Sequence, residues 1–182
     1  KQHLLSKIFA RPSAPFFNWG THINFEDIDY NIYHSYMNDR FEHAGLKISL
    51  ETSIYLQNKM SRIPEAINRL CFAILTAGIQ GEISIENVNK TLAQLISDRR
   101  SEPEKYLSSF SIAEQKVIIA IARNEPIKQP QGKVFVQGVK LSSPGVRKIF
   151  FKLENEAVVY KEMQGYILAD ALLKQHILKY RL

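Results

Sequence analysis

Apolar residues recur at helical spacing along most of the chain. The clearest case runs from Pro64 to Gly78, where Ala66, Ile67, Leu70, Cys71, Ile74 and Leu75 fall on one i, i+3/i+4 stripe. Pro64 suits the first helical turn, where its missing N–H would have had no partner. Gly78 suits the stop. Val88, Leu92, Leu95 and Ile96 mark a second helix that starts at Ser84 and fades in Asp98-Arg99-Arg100. Upstream, Ser49 opens a helix carrying Ile54, Leu56 and Met60. Asp27 reads as the N-cap of a helix through His43, ended by Gly45, with Ile28, Ile32, Tyr36 and Phe41 near one face. Residues 1–10 read as the end of a helix, residues 13–20 as an aromatic turn, and Thr21 to Glu26 as a short alternating strand. The pattern predicts an all-helical unit over residues 1–105 with that one extended segment.

A different order follows. Ser111 and Glu114 form a capping-box signature for a helix whose core face is Ile112, Val117, Ile118 and Ile121. Pro126 to Gly138 reads as a long connection. Ser143 as N-cap and Pro144 at the first helical position open the next helix. There Val146, Ile149, Phe150 and Leu153 point inward, and Arg147, Lys148 and Lys152 mostly outward. Val158 to Leu168 reads as a β-hairpin with Gly165 in its turn, and Ala171 to Lys179 as a last helix. Helix, connection, capped helix and hairpin are the order of a winged helix-turn-helix over residues 106–182. The helix after Ser143 is then the recognition helix and the hairpin the wing. The fold class expected is mainly α with one small hairpin.

Charge sharpens this division. Residues 1–110 hold 12 Lys/Arg and 12 Asp/Glu, whereas residues 111–182 hold 12 and 6. The whole excess of +6 belongs to the winged-helix part, which points to a polyanion or an acidic partner surface. The single cysteine, Cys71, excludes an intrachain disulfide and a cysteine-based zinc site. It favours a reducing compartment, and a cytoplasmic location is expected. No apolar run approaches the roughly 20 residues of a membrane span. The chain enters at once on Leu4-Leu5-Ser6-Lys7-Ile8-Phe9, which reads as the middle of a helical pattern in a piece of a longer chain.

No catalytic motif is present. The only Gly-Lys pair is Gly132-Lys133, and Ile127 stands where a phosphate loop would need its first glycine. No apolar strand ends in Asp-Glu to hold magnesium, and no G-x-S-x-G elbow occurs. The five histidines, His3, His22, His34, His43 and His176, lack ligand spacing with carboxylates. No metal or cofactor is expected in the chain itself.

Four stretches resemble a known family. They are Leu4 to Phe9 with Pro15-Phe16-Phe17-Asn18-Trp19-Gly20; Thr21 to Ile28; Arg62-Ile63-Pro64-Glu65-Ala66-Ile67-Asn68-Arg69-Leu70; and Leu107 to Gln115 with Ser142 to Leu153 and Tyr166 to Asp170. In this order they are similar to the carboxy-terminal region of archaeal and bacterial P-loop ATPases of the AAA/STAND type, in which a helical lid and a winged helix follow the nucleotide-binding core. The resemblance implies a lid-like domain at 1–105 and a winged helix at 106–182. It implies a parent protein that uses ATP and magnesium, with its phosphate loop before Lys1. It places Arg62 and Arg69 in the sensor-2 region that faces nucleotide, although Arg62 stands where the family commonly has Gly.

Two functions follow from different classes. In the first, Arg62, with Arg69 as its substitute one or two turns along, senses the γ-phosphate of ATP on the missing amino-terminal ATPase core, and the winged helix docks on that core or on a protein partner. In the second, the winged helix binds duplex DNA, with Ser143, Arg147, Lys148 and Lys152 toward the groove and Lys140 and Lys161 toward phosphates. Phe151 among these cations favours a protein interface. A stand-alone helical adaptor is the third reading.

Overall fold

The structure, a computed structural model, describes Phe16 and residues 27–181. The helix end at 1–10, most of the aromatic turn and the strand at 21–26 lie outside the described residues. Helix α1 (Tyr30–Glu42) is capped by Asp29, whose carboxylate accepts from the N–H groups of Asn31 (2.8 Å) and Ile32 (3.2 Å). Asp27, the expected cap, instead pairs with Arg62. The helix therefore starts later, and its buried stripe is Tyr33, Met37 and Phe41, while Ile28, Ile32 and Tyr36 are exposed. This register also lets the Tyr33 hydroxyl donate to Asn68 (3.1 Å).

The all-helical expectation for the first unit is corrected by a parallel pair of short strands. Strand β1 (Leu46–Ile48) runs beside β2 (Gly81–Ile83), Leu46 opposite Gly81 and Ile48 opposite Ile83. Leu46 and Ile48 point in and Lys47 out, the two-residue alternation of a strand. The crossover that a parallel pair requires is supplied by α2 (Leu50–Lys59, capped by Ser49) and α3 (Pro64–Thr76). Helix α4 (Ile85–Asp98), held at its start by a Ser84/Asn87 capping box, packs along α3. Met37, Phe41, Leu56, Leu70, Ile83 and Val88 are among the residues of this first core.

A short helix, α5 (Ser101–Ser108), leads into the second core, to which its Leu107 belongs. Helix α6 (Ile112–Asn124) has the expected Ser111/Glu114 capping box and buries Val117, Ile118 and Ile121. Ile112, expected inside, is the first residue of the helix and is 76% exposed. The expected connection at 126–138 contains a helix, α7 (Lys133–Val139). Its Phe135 ring meets Phe150 edge-on at 5.7 Å, so tertiary packing overrides a local Val-Phe-Val pattern that favours strand. Helix α8 (Ser143–Asn155) is capped by Ser142, which accepts from the N–H of Gly145 (3.3 Å); Ser143 is the first helical residue and not the cap.

The wing is β3 (Val159–Glu162) antiparallel to β4 (Gly165–Leu168), with Met163 and Gln164 in the turn. Gly165 lies in the strand opposite Glu162, not in the turn. Ile127 adds an antiparallel bridge to Tyr166. The last helix, α9 (Ala171–Tyr180), is shared: Ala171 packs in the first core, Leu173 and Ile177 in the second. Its Gln175 donates to the carbonyl of Lys59 (2.9 Å), and Lys179 donates to the carbonyl of Ala93 (2.7 Å). Among the described residues, no helix is long and apolar enough to cross a membrane.

Candidate functional site

The helix-turn-helix pair is α7 and α8, joined through Lys140, which occupies the left-handed region at φ 55°. On α8, Val146, Phe150 and Leu153 anchor the inner side. Arg147, Lys148 and Phe151 lie exposed on the outer side, one helical turn apart. Phe151 is 69% exposed. The Phe150 ring contacts Phe135 of α7 on one side and Tyr166 of β4 on the other (5.1 Å), so the three elements of the motif meet at one residue.

The six residues expected at this face do not act alike. Arg147, Lys148 and Lys140 are exposed, and Ser143 is partly covered at the helix start. Lys161 sits on the wing with its ammonium 5.9 Å from the centre of the Tyr166 ring. Lys152 is committed to the fold. Its ammonium donates to Glu114 (2.8 Å) and lies 3.8 Å from Glu156, tying α8 to the start of α6.

Lys152 and the Ser111 N–H, which donates to the other carboxylate oxygen at 2.8 Å, hold the Glu114 carboxyl below its ordinary 4.5. A carboxyl lowered in the folded state adds stability above its unfolded value, and that stability is lost as pH falls through the folded value. Glu114→Gln should therefore lower the urea midpoint at about pH 7 and flatten its fall toward about pH 3. An unchanged acid profile would show that the pair contributes nothing.

The two arginines expected to sense nucleotide, Arg62 and Arg69, are not brought to one place. Arg62 follows α2 at φ 56° and turns back to α1. Its guanidinium pairs with Asp27 (3.0 Å), donates to the carbonyl of Ile28 (2.6 Å) and stacks on the Tyr30 ring (4.3 Å). Its Nε is buried without a partner. Arg69 lies on the outer side of α3 in an i, i+4 pair with Glu65. It borders a groove of about 1070 Å³ between α3 and α4, where Phe72, Lys90 and Gln94 also stand, and a smaller cavity of about 210 Å³ reaching α9. The sequence reading missed this groove. Its one local signal was Lys90-x-x-x-Gln94-x-x-x-Asp98, a polar row at helical spacing beside the buried stripe of α4.

Burial pushes the Cys71 thiol up to about 12, and its sulfur lies 3.6 Å from that of Met37, the surroundings of a core residue. His176 is fully buried, its Nε2 2.9 Å from Glu104, in the contact between α9 and α5. Among the described residues, no three His, Cys, Asp or Glu side chains come together to hold a metal ion.

Comparison with known proteins bears on the two parts unequally. Residues 103–179 match the family described as "Probable winged helix domain". No curated protein matches the chain. Among solved structures, the Walker-type ATPase PABY2304 of Pyrococcus abyssi is similar at a TM-score of 0.62 and 16% identity, over 97% of this chain and 49% of that one. The chain thus spans about half the length of that ATPase. At this identity the likeness is one of fold, and the protein is a mainly helical chain with a winged helix domain at 103–179.

Proposed function

We propose that the chain is the carboxy-terminal regulatory and interaction region of an ATP-binding P-loop ATPase of the AAA/STAND type. In this reading a nucleotide-binding core carries ATP and magnesium, the first unit acts as its lid, and the winged helix docks on the core or on a protein partner in the cytoplasm. The observation that carries it is the likeness in fold between nearly the whole chain and half of a Walker-type ATPase. Of the two candidate sensors, Arg69 is the more available, since its pair with Glu65 is exposed. Arg62 reaches a phosphate only by releasing Asp27 and Ile28. The 182 residues hold no G-x-x-x-x-G-K-[ST] motif to wrap a β-phosphate.

The second reading, duplex DNA binding, is favoured by one observation: α8 follows a helix-turn in the position of a recognition helix and exposes Arg147 and Lys148. The two readings separate in a salt titration. DNA affinity falls with a log–log slope of about −0.9 per neutralised phosphate. If both side chains contact phosphate, the double replacement Arg147→Ala/Lys148→Ala flattens the slope by about 2 units. Docking predicts instead weak DNA binding that the double replacement barely alters, and weakened association with the separately produced nucleotide-binding core. Lys152 is left intact, because removing it would strip Glu114 of its partner. Tight duplex binding that the double replacement abolishes would overturn docking.

A further inference from the structure

We infer that the outer face of the helix-turn-helix takes an acidic protein segment carrying an apolar anchor. This rests on the docking reading above and names the chemistry of the partner. Three large apolar side chains are exposed in this motif: Val134 on α7, Phe151 on α8 and Met163 in the turn between β3 and β4. Covering such side chains is favourable, and a partner that also meets the neighbouring cations gains from both.

Each has a cation close by in sequence. Lys133 precedes Val134; Arg147 and Lys148 sit one turn before Phe151; Lys161 lies two residues before Met163. Among the described residues, no carboxylate pairs with Lys133, Arg147 or Lys148, unlike Lys152 and Lys174. Glu162 beside Met163 is the one acid at the wing tip. The residues from 111 onward carry the whole net charge of +6, which selects a partner of opposite sign. A sugar–phosphate backbone satisfies the cations but leaves Phe151 and Met163 in water. Carboxylates interleaved with aliphatic or aromatic side chains satisfy both.

The test is selection of a random dodecapeptide display library on the immobilised 182-residue chain, repeated on Phe151→Ala and on Arg147→Glu/Lys148→Glu. All three positions are exposed, so thermal melts of the variants should match the parent and separate loss of binding from loss of fold. Enriched peptides should combine Asp or Glu with Leu, Phe or Trp. Phe151→Ala should weaken the best of them about tenfold, and the charge reversal should weaken it at least as much, with the loss reduced by salt. Enrichment without acidic bias, or unaffected by Phe151→Ala, would overturn the partner chemistry while leaving docking standing. No enrichment together with tight, salt-steep duplex binding would overturn docking itself.

Discussion

Gly165→Ala is expected to disorganise the wing and cost the chain about 3 kcal/mol or more. Gly165 sits in β4 at φ 142°, a region that side-chain-bearing residues rarely enter. A methyl there would stand 2.7 Å from both the carbonyl carbon and oxygen of Ile127 and 3.0 Å from the Lys128 nitrogen. These are backbone atoms, so no rotamer change relieves the clash. The strand must retreat, which breaks the two bonds of the bridge: Ile127 N–H to the Tyr166 carbonyl (2.9 Å) and Tyr166 N–H to the Ile127 carbonyl (3.0 Å). For a chain of this size the loss corresponds to a fall in Tm of about 6–12 °C. Gly138→Ala is the control: it is helical, with open space where its methyl would go, and should be neutral or stabilising. Equal melting of the two variants would contradict the wing geometry.

Glu125→Ala should cost as much, by a different route. Glu125 ends α6 with a side chain that is 6% exposed, pairs with Lys174 of α9 (2.6 Å), and accepts from the Leu168 N–H of β4 (2.9 Å). One carboxylate thus holds three elements of the second core together. Truncating it leaves a largely buried ammonium and a buried N–H without partners, a loss of about 3–5 kcal/mol. Glu125→Gln, which keeps an acceptor for Leu168 but not the charge, should lie between. Adding Lys174→Met to Glu125→Ala should restore much of the loss, since it removes the stranded charge. If the double variant is less stable than Glu125→Ala alone, the pair is not the source of the cost.

What was legible in the sequence was local. Ser111 caps the helix it was expected to cap, Ser49 and Ser84 cap the helices they were expected to open, and Pro64 opens α3, because a cap bonds within three residues of itself. The hairpin was legible from two apolar runs around a short turn. The strands β1 and β2 were not, since three residues give too little alternation and their pairing crosses two helices. Helix α7 was hidden by Gly132, Gly138 and a Val-Phe-Val run, all of which argue against helix locally. At the site, Arg147 and Lys148 were placed on the outer face by helical spacing alone. The engagement of Lys152 with Glu114, 38 residues away, and of Arg62 with Asp27 depends on packing that no spacing rule encodes.

In the proposed reading these residues act on a nucleotide-binding core that lies outside them. The most direct test is steady-state ATP turnover by three proteins: the complete gene product, its Arg69→Ala form, and the 182-residue chain alone. The account predicts turnover by the complete product, a fall of about tenfold or more in the Arg69→Ala form, and none above a blank for the chain. Turnover by the chain alone, or a complete product that neither binds nor hydrolyses ATP, would contradict it.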